Sequence, residues 1–319
     1  MPSVSAALFA GLLAASNVTT VLTIQDPHIT ESSGLVRSVL HPTLLWTQND
    51  GGSTAEIYGI NPKGRTVARI TLRGIDPYDP EAISRGKDAS GRPALFLADT
   101  GDNAARRKNV SVFRVTEPKS LGRQTIKPTW FRFKYEDGPH DAEALLIDPR
   151  DGRLWIATKS LGTGGLYVAP RKLVTESHGI NKLQRVADVP ALTTDGAFLP
   201  NGKFVLRTYT SAFLYDAPGK LREQLSMPTQ AQAESIAVDG NRLLVGSEGP
   251  DSKVLAVQLP PGATGKGTPT PTPSAKSSSK SPFSLVSGDV GLESIERVLV
   301  AMVAASLIIF IIARLRRDR

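Results

Sequence analysis

Residues 234–249 read Glu234-Ser-Ile-Ala-Val-Asp-Gly-Asn-Arg-Leu-Leu-Val-Gly-Ser-Glu-Gly249, and this stretch holds the pattern that decides the fold. A polar residue opens a short apolar run, turn residues follow, and a second apolar run ends in polar residues. Two such runs around a turn that contains glycine predict two neighbouring β-strands. The same opening occurs five times, as Ser33-Gly34-Leu35, Glu81-Ala82-Ile83, Glu143-Ala144-Leu145, Asp195-Gly196-Ala197 and Glu234-Ser235-Ile236.

The second apolar run also returns in every copy. Its five versions are Leu45-Trp46-Thr47, Leu95-Phe96-Leu97, Leu154-Trp155-Ile156, Phe204-Val205-Leu206 and Leu243-Leu244-Val245. A β-rich unit that repeats at roughly 40–60 residues is typical of a β-propeller, in which each unit forms one blade. The sequence therefore predicts an all-β protein with a β-propeller fold.

The number of strands in each copy predicts how the ring of blades closes. The first four copies show four strand-like runs each, whereas the last shows three, Ser235–Val238, Leu243–Gly246 and Val254–Leu259. A three-stranded blade would leave an unpaired edge. The N-terminal run Thr20–Ile24 is a spare strand, so we predict that it completes the last blade and that the propeller has five blades. Six blades would require a divergent unit in the interval 81–143.

The two ends of the chain predict its relation to a membrane. The segments are a signal peptide over 1–16, an ectodomain over 17–260, a Pro/Thr/Ser-rich stalk over 261–291, a single C-terminal transmembrane helix over 292–315 and a basic tail over 316–319. The apolar run 298–313 is flanked by arginines on its C-terminal side, and positive charge favours the cytoplasm. We therefore expect a cell-membrane protein with an extracellular ectodomain and a cytoplasmic C-terminus.

The charge balance argues against nucleic-acid binding. The chain has 38 Lys/Arg and 30 Asp/Glu, and eight basic and four acidic residues lie after residue 260. The remaining surplus is small and its signs are interspersed, unlike a nucleic-acid surface. The expected partners are the membrane, through the C-terminal helix, and a cell-wall or extracellular ligand. There is no cysteine, so no disulfide supports the ectodomain.

The leading residues of the five copies should form one layer of a central channel, because the first strand of each blade lines that channel. Hard cations such as Ca²⁺ bind clustered carboxylate oxygens. We therefore predict that a channel Ca²⁺ is held by Glu81, Glu143, Glu234, Asp195 and Asp99. Further polar residues are expected to line the channel, namely Ser33, Asn49, Asp50, Asp102, Asn103, Lys159, Arg207, Ser247 and Glu248.

Two other interpretations of the acidic column stay open. The carboxylates can accept hydrogen bonds from backbone amides of the neighbouring blade and serve structure alone. Alternatively, Lys159 and Arg207 can neutralise them in a polar pocket without metal. No Gly-x-Ser-x-Gly elbow and no P-loop occurs in the sequence, and the four histidines lack metal-ligand spacing. His140, beside Asp141 and Glu143, is the one histidine near the column.

The motifs resemble those of secreted bacterial propellers. The stretch Glu234 to Gly249 resembles the blade signature of phytase-like propellers, and Ser33-Gly34-Leu35 with Asn49-Asp50-Gly51-Gly52 is similar to their first blade. The glutamate-apolar opening also resembles gluconolactonase (SMP-30-like) propellers, and this resemblance implies that such a glutamate binds a divalent metal in the channel. The phosphate-binding Lys/Arg clusters of calcium phytases are not evident in this sequence.

These observations predict an extracellular binding or interaction module with Ca²⁺ in its channel, since no nucleophile or base is identifiable. The alternative is a metal-dependent hydrolase, either a phosphoesterase or a lactonase, that uses Glu81, Glu143, Glu234 and Asp99 as ligands. A propeller that serves only as a structural spacer is a third interpretation.

Overall fold

The computed structural model of the protein describes residues 18–51 and 54–265. All of these residues belong to one compact unit. The predicted signal peptide, the predicted transmembrane helix, the basic tail and most of the stalk lie outside the described residues. Within the described part, no helix is long and apolar enough to cross a membrane.

Twenty-one strands and one short 3-10 turn, Glu176–His178, make up the regular structure of the described residues. The strands are β1 Thr19–Thr23, β2 Ser32–Arg37, β3 Leu45–Asn49, β4 Glu56–Ile60, β5 Thr66–Leu72, β6 Pro80–Lys87, β7 Pro93–Asp99, β8 Val110–Thr116, β9 Gly122–Ile126, β10 Thr129–Tyr135, β11 Ala142–Ile147, β12 Leu154–Thr158, β13 Gly164–Val168, β14 Asn181–Val189, β15 Asp195–Phe198, β16 Phe204–Arg207, β17 Ser211–Ala217, β18 Lys220–Ser226, β19 Ala233–Asp239, β20 Arg242–Ser247 and β21 Lys253–Gln258.

Antiparallel pairing groups these strands into five four-stranded units. The units are β2–β5, then β6, β7, β8 and β10, then β11–β14, then β15–β18, and finally β19, β20, β21 and β1. The first strands β2, β6, β11, β15 and β19 contact one another in a closed ring. Each first strand is covered by its neighbours in this ring. In β11, for example, all six residues are buried, as expected for a strand covered on both faces. The predicted all-β propeller fold is therefore confirmed.

The ring closes through the N-terminal strand, as the strand count predicted. Strand β1 pairs antiparallel with β21, with Thr19 opposite Ala256 and Thr23 opposite Lys253. The seam between the last and first units also carries a bidentate ion pair, because Arg37 donates from Nε to Asp239 Oδ1 at 3.1 Å and from Nη2 to Oδ2 at 3.0 Å. Closure in this way leaves no blade with three strands.

The long interval 81–143 holds an additional strand where the six-blade alternative required a further unit. Strand β9 pairs in parallel with the outer strand β5 of the first unit, before the chain returns as β10. Strand β10 pairs in parallel with β14, so the second and third units share one eight-stranded sheet. These two parallel pairings protect outer edges that an ordinary blade leaves open.

Apolar side chains between neighbouring units provide the core, and one buried carboxylate crosslinks the first two. The indole of Trp46 is fully buried, and its Nε1 donates to Glu117 Oε1 at 2.9 Å. The same carboxylate accepts from the backbone N–H of Val39 at 3.2 Å and from the hydroxyl of Ser38. Glu117 therefore connects the turn after β2 to the end of β8.

Candidate functional site

Carboxylates converge at the end of the ring where the first strands begin, which we call the acidic mouth. Glu81 and Glu143 are the second residues of β6 and β11, and both are buried. Oxygens of Asp50, Asp79 and Glu81 lie within 4.8 Å of one another, and so do those of Glu81, Asp141 and Glu143. Glu81 thus belongs to both triads, and three neighbouring units supply the ligands.

A β-bulge at the start of four of the five first strands explains why the leading residue can point into the channel. The pairing register shifts between Pro80 and Ala82 in β6, and between Ala142 and Ala144 in β11. The same irregularity spans Ser33 in β2 and Glu234 in β19. A bulge re-aims one side chain and ends regular pairing locally. The repeated polar residue of the sequence is therefore the bulged residue in four units.

Lys159 is the cation of the acidic mouth. It follows β12, and its Nζ donates to Glu143 Oε1 at 2.8 Å. The ammonium also lies 5.5 Å from the centre of the Tyr209 ring, and the side chain is 21% exposed, so it reaches the open channel. Its positive charge lowers the pKa of Glu143, Glu234 and Glu248 against a larger opposing effect of burial.

Arg207 has a different role from Lys159, although both were predicted to line the channel. Its guanidinium is fully buried, donates from Nη1 to the carbonyl oxygens of Ser235 and Gly246, and donates from Nη2 to Gln230 Oε1 at 2.7 Å. Burial lowers its pKa to about 10. Arg207 therefore fastens the fourth unit to the fifth, whereas Lys159 faces the carboxylates.

Burial makes the carboxyl groups of the mouth weak acids when no cation is bound. It raises the pKa of Glu143, Glu234 and Glu248 to about 7 each. Burial also raises the pKa of Glu81 well above its ordinary value, and the negative charges of Glu143, Asp50 and Asp79 raise it further. Burial likewise raises the pKa of Asp141 to about 6. A bound cation would favour the ionised form of each of these groups and so lower its pKa.

Two buried carboxylate oxygens have no hydrogen-bond partner among the described residues. They are Oδ1 of Asp50 and Oε2 of Glu234. An unpartnered buried oxygen costs free energy unless a ligand or water satisfies it. Since the triads offer only oxygen donors, the arrangement fits a hard cation such as Ca²⁺ or Mg²⁺, and oxygens on opposite sides of Ca²⁺ stand about 5 Å apart. The acidic residues at the mouth can therefore hold a metal ion.

Three predicted metal ligands, Glu234, Asp195 and Asp99, lie outside the triads, and hydrogen bonds explain this for the last two. Asp195 pairs regularly with Arg207 without a bulge, and its carboxylate accepts from the backbone N–H groups of Ile236 and Gly196, both at 2.7 Å. Asp99 accepts from the N–H of Asp79 at 2.9 Å and forms an ion pair with Arg107 at 2.9 Å. Both carboxylates are engaged in these hydrogen bonds and this ion pair, and neither belongs to the two triads.

The remaining predicted lining residues divide between structural bonds and the surface. Ser33 Oγ donates to the Glu81 carbonyl at 2.8 Å, and Ser247 Oγ accepts from the N–H of Gln232 at 3.0 Å. Asn49 donates from Nδ2 to the His28 carbonyl at 2.7 Å. Asp102 and Asn103 lie on the turn after β7. Asp102 accepts a hydrogen bond from the Arg107 N–H at 2.7 Å, and Asn103 is exposed.

Asp79 and Asp141 are ligand candidates that sequence reasoning did not place in the site. Each stands two residues before a leading glutamate, in Asp79-Pro-Glu81 and Asp141-Ala-Glu143. Both aspartates come directly before the first strand of their unit, next to the bulged glutamate, and this repeated Asp-x-Glu spacing was visible in the sequence. His140 Nε2, by contrast, bonds to Asp137 Oδ1 at 2.9 Å and Tyr167 Oη at 2.8 Å, outside both triads.

No protein-family model matches the sequence, and the comparison with curated proteins finds no match. Among solved structures, the chain is similar to XC5397, a gluconolactonase from Xanthomonas campestris, with 14% identity, a TM-score of 0.47, and coverage of 78% of this chain and 91% of that one. A luciferin-regenerating enzyme matches with 11% identity, a TM-score of 0.41, and coverage of 76% and 95%. A nidogen/laminin complex matches with 13% identity, a TM-score of 0.42, and coverage of 68% and 72%.

These comparisons overturn the leading functional prediction. The matches that span more than nine tenths of the other chain are enzymes, a gluconolactonase and a luciferin-regenerating enzyme. The prediction of a binding module is corrected here, since the names of these two structures agree better with its alternative, the metal-dependent hydrolase. One of the three structures is a gluconolactonase, in agreement with the resemblance to gluconolactonase propellers. None of the three is a phytase. At such low identities the likeness concerns the fold, so the chemistry has to be argued from the site itself.

Proposed function

We propose that the acidic mouth is the active site of a metal-dependent hydrolase that acts on a lactone or a related carboxylic ester. The observation that carries this proposal is the pair of carboxylate triads that share Glu81. Glu81, Asp141 and Glu143 would hold the metal, with Asp50 and Asp79 completing the oxygen donors, and we propose Ca²⁺ as the ion. Such a cation, when bound, polarises a carbonyl group and lowers the pKa of water.

Glu234 suits the role of general base. It lies outside both triads, is buried, and keeps Oε2 without a hydrogen-bond partner among the described residues. Burial raises its pKa to about 7, and a base is most effective when its pKa lies near the working pH. Glu234 would accept the proton of the attacking water and later return it to the leaving alkoxide.

Lys159 suits the role of a donor to the oxyanion that forms when water attacks the ester carbonyl. An ammonium has three N–H donors, and one of those of Lys159 is used by Glu143. The cation bonded to a triad carboxylate favours this substrate class, because a phosphoryl group would need several donors around three oxygens, whereas Lys159 is a single ammonium beside Glu143. Since Arg207 is fully buried and committed to backbone carbonyls, Lys159 serves one developing oxyanion, as in ester hydrolysis.

We also propose that this domain is a five-bladed ectodomain, secreted through the signal peptide 1–16 and held at the outer side of the cell membrane by the helix 292–315. The five ring-forming first strands and the pairing of β1 with β21 support the blade number. The uncharged N-terminal segment, the Pro/Thr/Ser-rich stretch and the apolar run 298–313 support the rest.

The test is hydrolysis of a panel of lactones, carboxylic esters and phosphomonoesters by the full-length protein, with added Ca²⁺ and with EDTA. We expect lactone or ester turnover that EDTA abolishes. Glu81→Gln should lower Ca²⁺-dependent thermal stabilisation and activity together. Glu234→Gln should keep the stabilisation and lower kcat by about 10²- to 10⁴-fold, the usual contribution of a general base.

The matched control is Glu223→Gln, on the exposed face of β18, which should behave like the wild type. Turnover that persists in EDTA would contradict the proposal. So would a protein that binds Ca²⁺ tightly yet hydrolyses no member of the panel.

A further inference from the structure

The face opposite the acidic mouth has its own chemistry. Because each first strand begins at the mouth, the turns that end these strands all lie on the opposite face, which we call the turn face. They are residues 38–44, 88–92, 148–153, 199–203 and 240–241. Antiparallel alternation brings the turns between third and fourth strands, 61–65, 169–180 and 218–219, to the same face.

The turn face presents basic side chains to solvent. Exposed examples are Lys63, Arg65, Lys87, Arg92, Arg150 and Lys172. Two of the acids among them turn inward, since the side chains of Asp88 and Asp148 are 8% and 4% exposed, whereas their arginine partners are 64% and 59% exposed. Asp151 stays exposed, and it pairs with Arg171, whose side chain is 72% exposed. The surface that a partner meets is therefore more basic than the composition of the turns suggests.

Apolar side chains stand among these cations. Val39, in the turn after β2, is 47% exposed, and Leu221, beside the turn before β18, is 53% exposed. Val174 and Ile180, in the segment before β14, are 38% and 43% exposed. Single exposed apolar residues are ordinary, but apolar groups interspersed with Lys and Arg on one face are the pattern of a membrane-surface binder.

The chain also leaves the domain on the turn face. After β21, the carbonyl oxygens of Ala263 and Gly265 accept from Asn201 Nδ2 at 2.8 and 3.3 Å, and Asn201 belongs to the turn 199–203. The sequence that follows leads to the predicted membrane helix over 292–315. A surface at the point of exit is the first part of the domain that a nearby bilayer can meet.

We propose that the turn face docks on an anionic lipid bilayer. Lysine and arginine bind lipid phosphates, and the exposed apolar side chains enter the headgroup region. A tether through the stalk makes docking intramolecular, with an effective concentration of the order of millimolar, so that weak contacts suffice. The acidic mouth then opens away from the membrane, towards extracellular substrate. This docking goes beyond the proposed hydrolysis and stands without it.

The absence of cysteine allows a direct test with one introduced label. Full-length Val39→Cys, labelled with an environment-sensitive fluorophore, is placed in nanodiscs of phosphatidylcholine alone or with about a third phosphatidylglycerol. A headgroup-depth lipid quencher reports contact with the bilayer. We expect quenching at least twofold stronger with phosphatidylglycerol, and its loss in about 0.5 M salt because charges are screened. Leu161→Cys, at the mouth and 83% exposed, should give no such quenching.

Charge variants separate the turn face from general basicity. Lys63→Gln with Lys87→Gln should reduce the phosphatidylglycerol-dependent quenching at least twofold. The matched pair Arg106→Gln with Lys108→Gln, exposed on the turn after β7 at the mouth side, should leave it unchanged. Equal quenching in both lipid compositions, or equal quenching of the Leu161→Cys label, would overturn the proposal. The label at residue 39 could instead change its fluorescence when a soluble glycerol-phosphate polymer is added to phosphatidylcholine discs. If it did so and showed no response to phosphatidylglycerol, the assignment of the partner to lipid would be overturned.

Discussion

Without divalent metal, the protein should lose stability as the pH rises from about 5 to 8. The cause is the set of buried carboxyl groups, since burial raises the pKa of Glu143, Glu234 and Glu248 to about 7. Each group binds its proton more tightly in the folded state than in the unfolded chain. Its contribution to stability is therefore complete below the unfolded pKa and disappears as the pH rises through the folded one.

The magnitude follows from the displacement of Glu143, whose pKa moves from 4.5 to about 7. One unit of pKa corresponds to about 1.4 kcal/mol, so this group alone lowers the free energy of unfolding by about 3 kcal/mol between pH 4.5 and 8. The three groups feel one another's charges, so their effects do not add fully. For a domain of this size, about 3 kcal/mol corresponds to a decrease in Tm of roughly 6–12 °C.

The assay is calorimetry of the full-length protein between pH 5 and 8, once in EDTA and once in millimolar Ca²⁺. We expect Tm to fall with pH in EDTA, and Ca²⁺ to remove most of that fall because the cation favours the ionised ligands. The double variant Glu81→Gln with Glu143→Gln should make the fall of Tm with pH in EDTA less steep, while the exposed control Glu223→Gln should keep the wild-type profile. A Tm in EDTA that stays constant or rises with pH would refute the reasoning.

Three further predictions concern the ring. Asp195→Ala should destabilise the protein by about 3 kcal/mol, because two buried N–H groups lose their acceptor, and a calorimetric Ca²⁺ titration should show unchanged affinity. Glu117→Ala should cost a similar amount by leaving the Trp46 indole N–H unpaired, and denaturant unfolding should show it while kcat stays at the wild-type value. Leu22→Pro, in the closing strand, should cost about 2 kcal/mol or more, because the buried leucine side chain is lost, and it should broaden the thermal transition; a wild-type Tm would contradict closure through β1.

The fold could be predicted from the sequence because each unit is locally encoded. Four apolar runs with turns between them specify a blade, and the missing fourth run of the last copy pointed to the N-terminal strand. Strand β9 could not be predicted in the same way. Its residues, Gly122–Ile126, are mostly exposed, and it pairs in parallel with β5, a strand distant in sequence. Alternating hydrophobicity reports burial of a strand, not which edge it joins.

The sequence predicted part of the site, and the bulges explain why some leading acids belong to the triads and Asp195 does not. Glu81 and Glu143 were found because the leading register is also the bulged position. Asp195 shares that register in sequence but pairs regularly, so its carboxylate reaches backbone amides. A bulge depends on how two strands slip past each other, and one leading residue does not reveal it. The i, i+2 acid pairs were visible in the sequence and are the more reliable indicator of this site.

The same charges link the chemistry of the mouth to the stability of the ring. The two triads draw ligands from the first three units, so ring closure itself brings the carboxylates together. Like charges within about 5 Å in a buried site repel unless they take up protons or a cation, and Lys159 supplies one positive charge for several acids. A divalent ion would offset this repulsion and ionise Glu143 at the same time. The ion that prepares the site for hydrolysis would therefore also hold the units together, and the pH profile in EDTA measures that linkage before any substrate is known.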